Sequence, residues 1–244
     1  MPASSSIILS IVRSSLTDSV AGVPLTLRTN PRARRLKLRF DDRSGGLLLT
    51  VPPRTSRRAA LDWAAGQAGW VSAQLARQPA RRPLDPGATI PLEGAEVRLE
   101  WIAGASRLVV RGPDSLSCGG PRESFGSRIE AWLKRHARAT LSSDSAEIAK
   151  AAGVTIKAVS IGDPDSRWGS CSAAGAIRYS WRLILAPPDV RRYVVAHEVA
   201  HRLHMDHGPH FKAAEARLYG APVAAQRSLL RRLGPVLRGV GRSG

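Results

Sequence analysis

The sequence predicts an α+β fold: a β-rich N-terminal half packed on a C-terminal half with a short sheet and a helix carrying an H-E-x-x-H motif. Three observations predict it. Short runs before residue 111 alternate apolar and polar residues, the period of a half-buried strand. Beyond residue 124 apolar residues recur at three- and four-residue spacing, the period of a helix. Between the two lies a turn-rich stretch, Gly112 to Pro121, which makes the expected boundary. The expected organisation is a loose extension over 1–22, a β-rich half over 23–115 and a C-terminal half over 116–244.

In Arg35-Leu36-Lys37-Leu38-Arg39-Phe40 the apolar residues alternate strictly with basic ones, as in a strand with a basic outer face. Gly45-Gly46 turns the chain into a second strand, Leu47 to Val51, which Pro52-Pro53 stops. Thr55-Ser56 can cap a helix with Leu61, Ala64, Ala68, Val71 and Leu75 on one stripe. Ala95–Trp101 and Arg107–Val110 read as further strands. Phe125, Ile129, Trp132, Leu133 and His136 then fall at helical spacing, and this helix runs to Ala152-Gly153 with a candidate break near Ser142. His136 reads as an ordinary helix-face residue.

The last block holds a strand over Val154–Ile161, the run Ser166-Arg167-Trp168-Gly169-Ser170-Cys171-Ser172, and a returning strand in which Ile177, Tyr179, Trp181, Leu183 and Leu185 alternate with Arg178, Ser180 and Arg182. Pro187-Pro188-Asp189 opens a helix, with proline at its start and an acid in its first turn.

Composition narrows the function. The chain has 244 residues and 43% hydrophobic residues, enough for a substantial core. Two cysteines, Cys118 and Cys171, exclude a disulfide scaffold and any all-cysteine zinc ribbon. No apolar stretch reaches the roughly 18 residues of a membrane helix, and the N-terminal segment makes a poor signal peptide, so a cytoplasmic protein is expected. The net charge of +18 suits a nucleic acid or phosphorylated ligand. Because 32 of the 37 basic residues are arginine, a compositional bias explains it without any partner, and that reading is favoured.

Five of the six histidines lie between residues 197 and 210. His197-Glu198-Val199-Ala200-His201 is an H-E-x-x-H motif, and residues four apart share a helix face, so His197 and His201 can offer nitrogens to one ion. Zinc is the expected metal, one per chain, bound about 2.0–2.1 Å from each imidazole and keeping three protein ligands plus water. Glu198 is placed to activate that water as general base. The third ligand lies among His204, His207, His210 and Glu215. A turn at Gly208-Pro209 would swing His207 back over the helix pair, which favours it.

With these residues in hand, the chain resembles the YgjP-like metallopeptidase family, a branch of the zincins. The resemblance rests on Arg167 to Ser172, on Trp181 to Pro188, on Val194 to His201, and on His207-Gly208-Pro209-His210-Phe211. It covers roughly Leu25 to Leu233. It implies a zincin-like C-terminal half, with zinc held by His197, His201 and His207, and Glu198 catalytic. The His207-Gly208-Pro209 segment also resembles that of SprT-like proteases, although the two cysteines here cannot build the zinc ribbon that many of those carry.

Arg167 and Gly169 are candidate substrate-binding residues: glycine allows a backbone to approach closely, and arginine can hold a carboxylate or phosphate. Trp168 and Cys171 read as packing residues. Tyr179 and Tyr193 are weighed as oxyanion donors and read as packing as well. The expected function is zinc-dependent hydrolysis of peptide bonds in a peptide or protein substrate, through a metal-bound water activated by Glu198. The alternatives are a nucleoside triphosphate pyrophosphatase or phosphohydrolase using the same site, and a basic nucleic-acid-binding module with a structural zinc.

Overall fold

The computed structural model describes residues 18–41, 46–77, 82–164 and 167–241, and the fold is α+β. Contacts divide the chain into two units, residues 1–77 and 78–244. The expected boundary at 115/116 falls inside the second unit.

In the first unit, β1 (Ser19–Val20), β2 (Val23–Thr29), β3 (Lys37–Asp41) and β4 (Gly46–Val51) form a sheet of order β1-β2-β4-β3. Residues 1–17 of the expected loose extension lie outside the described residues, but Ser19 and Val20 pair with Pro24 and Val23 and so belong to this sheet. β4 runs parallel to β2 and antiparallel to β3. Leu25, Leu47 and Leu49 are buried on one face with Val51, where Ala60, Ala64 and Val71 complete a small core. The expected single helix is two: α1 (Arg57–Ala65), capped by the Ser56 hydroxyl, and α2 (Ala68–Arg77). Gly66 ends the first, and the resulting turn carries Leu75 off the common stripe to 38% exposure.

The second unit opens with β5 (Thr89–Leu92), β6 (Ala95–Trp101), β7 (Val110–Arg111) and β8 (Ser115–Cys118), a sheet of order β5-β6-β8-β7. The expected boundary loop therefore contains a strand, β8, parallel to β6, with Leu116 and Cys118 buried. Flanking glycine, proline and aspartate hide its period-two pattern in the sequence. This sheet shares one core with α3 (Phe125–Ala152), so the expected β-rich half is split between the two units. α3 is continuous through Ser142 and ends at Gly153, in left-handed conformation.

The last sheet has order β10-β11-β9, from β9 (Ala158–Gly162), β10 (Gly169–Cys171) and β11 (Ala176–Ser180). Asp165 and Ser166 lie outside the described residues. β11 ends at Ser180 instead of continuing to Leu185, because Trp181–Leu185 form a 3-10 helix buried on every side. Arg182, read from the sequence as an outward strand residue, is buried there. It donates from Nε and Nη2 to the Asp163 carboxylate at 2.9 and 3.1 Å and from Nη1 to the Val240 carbonyl.

α4 (Pro188–Ala200), α5 (Pro209–Tyr219) and α6 (Ala224–Gly239) complete the unit. The β5–β6 turn fixes the approach to α4. Glu93 and Gly94 both have positive φ, 52° and 84°, and their N–H groups donate to the Ile184 and Leu185 carbonyls at 2.8 and 3.3 Å. A Cβ on Gly94 would meet Pro187 at 3.1 Å, so only glycine lets the turn sit this close to the start of α4.

Candidate metal centre and cleft

α4 begins as the sequence dictates, with Pro188 where no N–H is needed and Asp189 in the first turn. Its apolar residues Val190, Val194, Val195 and Val199 are buried in the main core. Two ion pairs anchor it to α3: Arg191 donates to Asp144 at 2.9 Å and Arg192 to Glu147 at 2.7 Å. At the far end Arg202 donates to the carbonyls of Ala173 and Thr155, tying the β10–β11 turn to the helix.

The helix stops at Ala200, with His201 as its C-cap, and the chain loops to Pro209. This turn returns His207 to the two helix histidines. The potential ligand nitrogens of His197, His201 and His207 lie within 4.8 Å of one another, and the Nε2 atoms of His197 and His207 are 3.3 Å apart. Neighbouring nitrogens around a tetrahedral zinc with bonds of about 2.0–2.1 Å would lie about 3.4 Å apart. Phe211, fully buried, is the common floor: its ring centroid is 5.0, 4.6 and 4.7 Å from those of His197, His201 and His207.

Two of the rings have partners that fix their orientation. His197 donates from Nδ1 to Glu215 Oε1 at 2.7 Å, and His201 donates from Nδ1 to the His204 carbonyl at 3.2 Å. Both Nε2 atoms are thereby left as acceptors, the form that binds a metal. Burial holds the pKa of His197 below the usual histidine value, despite the opposing pull of Glu215. Burial also lowers His201, with help from the charge of His197. Both favour the neutral imidazole a metal requires.

Glu215, weighed from the sequence as a ligand, is completely buried with both oxygens engaged, the second accepting from Arg227 Nη2 at 2.9 Å. Arg227 also donates from Nε to the Tyr193 hydroxyl at 3.2 Å. Sequence reasoning missed this chain of contacts. The signal available was a carboxylate in the apolar run Ala213-Ala214-Glu215-Ala216, four residues beyond Phe211. His204 and His210 pack on each other, centroids 5.8 Å apart.

Glu198 lies on the adjacent face of α4, 5% exposed, and lines a cavity of about 190 Å³ with Arg167, Trp168, Gly169, Tyr193 and His197. Burial raises its pKa to about 7, with the charge of Arg167 acting in opposition. Gly169 makes the approach possible: a Cβ there would lie 2.7 Å from the Glu198 carboxyl carbon. Trp168 packs against the main core under the Arg238 guanidinium, 4.4 Å from the ring centre, and Cys171 packs there too. Tyr179 is fully buried and its hydroxyl meets Ser145 at 2.9 Å, which commits it to packing.

β10 is an edge strand. Ser180 donates to the Trp168 carbonyl at 2.8 Å and Ser172 to the Ala176 carbonyl at 2.9 Å. In an antiparallel pair the alternate residues face away, so the N–H and C=O groups of Gly169 and Cys171 point to the open edge beside Glu198.

Three histidines placed to hold one metal ion, a buried carboxylate next to them and an open strand edge in one cleft are suited to polarising a substrate, moving a proton and holding an extended chain. Among the described residues no helix is long and apolar enough to cross a membrane. No curated protein and no solved structure matches the chain. The sequence profile of the YgjP-like metallopeptidase domain matches residues 34–232, which include every residue of this cleft. The chain therefore belongs to the YgjP-like metallopeptidase family.

Proposed function

We propose that the protein is a zinc-dependent peptidase, with His197, His201 and His207 as the zinc ligands and Glu198 as the proton-transfer residue. The observation that carries the reading is a buried Glu198, poised near neutrality, one residue from a ligand histidine and beside an open strand edge. When bound, zinc supplies Lewis acidity and makes a water molecule acidic enough to ionise near neutral pH. Glu198 takes the proton from the attacking water and returns it to the departing amine nitrogen. The open edge of β10 pairs with an extended peptide through the backbone of Gly169 and Cys171, setting the scissile bond against Glu198. Arg167, at the rim of the cavity, holds a substrate carboxylate. Cys118 and Cys171 are both free thiols, which suits the reducing cytoplasm as the place of action.

The test is a mass-spectrometric assay on zinc-loaded protein, with a mixed peptide library and the common nucleoside triphosphates in one reaction and Glu198→Ala as control. New peptide ends made by the unmutated protein, and reduced about 10²- to 10⁴-fold in the variant, are expected. Nucleoside mono- or diphosphate formed instead, with no peptide ends, would replace the reading with phosphoanhydride hydrolysis at the same residues. If neither substrate changes while zinc remains bound, the enzyme reading fails in favour of a structural metal.

A further inference from the structure

The first unit has a feature that peptide hydrolysis does not use. Among the described residues, helices cover its sheet on one side only. Register places Arg28, Thr50 and Lys37 in one row across β2, β4 and β3, and Thr26, Leu48 and Arg39 in the next. These side chains lie on the face opposite the buried leucines, and Arg28, Lys37 and Arg39 are all exposed. Strand spacing puts the backbone of Arg28 and that of Lys37 about 10 Å apart, with Lys37 and Arg39 about 7 Å apart along β3. The β2–β3 connection adds exposed Arg32, Arg34 and Arg35, held by a turn in which Arg32 N–H donates to the Asn30 side chain at 2.9 Å. From Val23 to Phe40 there is no acidic residue. At the β3 edge, on the leucine side of the sheet, Trp70 of α2 packs against Phe40, ring centroids 5.9 Å apart, and remains 40% exposed.

We infer that this face binds single-stranded nucleic acid. Six cations set on a rigid sheet and an ordered turn match a flexible chain of regularly spaced phosphates. A nucleic-acid strand that leaves this face over the β3 edge meets the exposed indole of Trp70, which gives a base a stacking partner, the combination that single-strand binders use. A lipid surface would use the charge but would have no need of the sheet's spacing. The inference is independent of the metal centre, whose residues all lie in the second unit.

The experiment is fluorescence anisotropy of the full chain with a fluorescein-labelled, mixed-sequence single-stranded oligonucleotide, titrated at several salt concentrations. Arg28→Glu/Lys37→Glu/Arg39→Glu should weaken binding at least tenfold, and the neutral set Arg28→Gln/Lys37→Gln/Arg39→Gln should reduce the log–log salt slope by about 2. Trp70→Leu should weaken it about fivefold or more with the slope unchanged. Arg135→Glu/Arg138→Glu/Arg231→Glu makes the same change in charge at exposed sites of the second unit and should leave affinity within about twofold at physiological salt. Glu198→Ala should bind like the unmutated protein. Equal losses in the two charge-reversal sets would overturn the inference, since net charge alone would then account for binding. Absence of oligonucleotide binding would overturn it as well, and capture of phosphatidylserine vesicles in that case would reassign the face to a membrane surface.

Discussion

At the scale of single residues, Glu215 and Gly169 set the positions of two side chains of the cleft, His197 and Glu198. Glu215 orients His197 and pairs with Arg227, so the candidate ligand ring is held by a buried carboxylate whose charge an exposed arginine balances. Glu215→Gln keeps the shape but weakens the acceptor, and zinc affinity should fall about 10- to 100-fold, measured by competition with a chromophoric chelator. Unchanged affinity would show that Glu215 only fills space. Gly169 acts on Glu198 by having no side chain. Gly169→Ala should lower turnover about a hundredfold by displacing the carboxylate, with metal content intact. A variant of normal turnover would mean that Glu198 works from another rotamer.

At the scale of elements, the β5–β6 turn is the joint between its sheet and α4. Glu93 pairs with Arg111 at 2.7 Å, His136 at 3.4 Å and Arg191 of α4 at 3.5 Å. Burial works to raise the Glu93 pKa, but the hydrogen bond and charge of Arg111, with His136 and Arg191, outweigh it and hold the group below its ordinary 4.5. A carboxylate depressed in the fold contributes stability that is complete above its unfolded pKa and is lost as pH falls through the folded value. His136, lowered chiefly by burial, acts in the same direction, its contribution being complete above 6.5. Stability should therefore decline on acidification, first through His136 and then through Glu93. In Glu93→Gln the slope below about pH 4.5 should flatten in thermal melts across pH. An unaltered slope there would remove Glu93 from the acid response.

At the scale of the molecule, the described residues form one core in the first unit and, in the second, a main core and a small one around Phe211, and the candidate ligands all belong to the second unit. Metal bound to the native state alone stabilises whatever unfolds with its ligands. Stripping metal with a chelator should raise amide hydrogen exchange in α4, α5 and the loop between them, while β2 and β4 keep their protection. Equal deprotection of β2 and β4 would mean that the two units unfold as one.

The sequence by itself determined the α+β class, the start of α4, the boundaries of α3 and the pairing of His197 with His201, because each depends on local periodicity, capping or four-residue spacing. It also favoured His207, since Gly208-Pro209 signals a break between helices, although the return itself is made by the loop from His201 to Gly208, and Gly208-Pro209 opens α5. Tertiary structure decided the rest. The division at residue 77 follows from which strands share a core, and β8 joins its sheet by pairing with a strand fourteen or more residues away. The end of β11 was hidden because Arg182 reads as outward until Asp163 is seen to bury it. Glu215 and Arg227 come from α5 and α6, and only the packing of those helices against α4 turns a carboxylate weighed as a ligand and a surface-type arginine into the support of a candidate ligand. Periodicity records what a residue does within its own element. Which buried charges meet depends on contacts between elements, and those have no local signature.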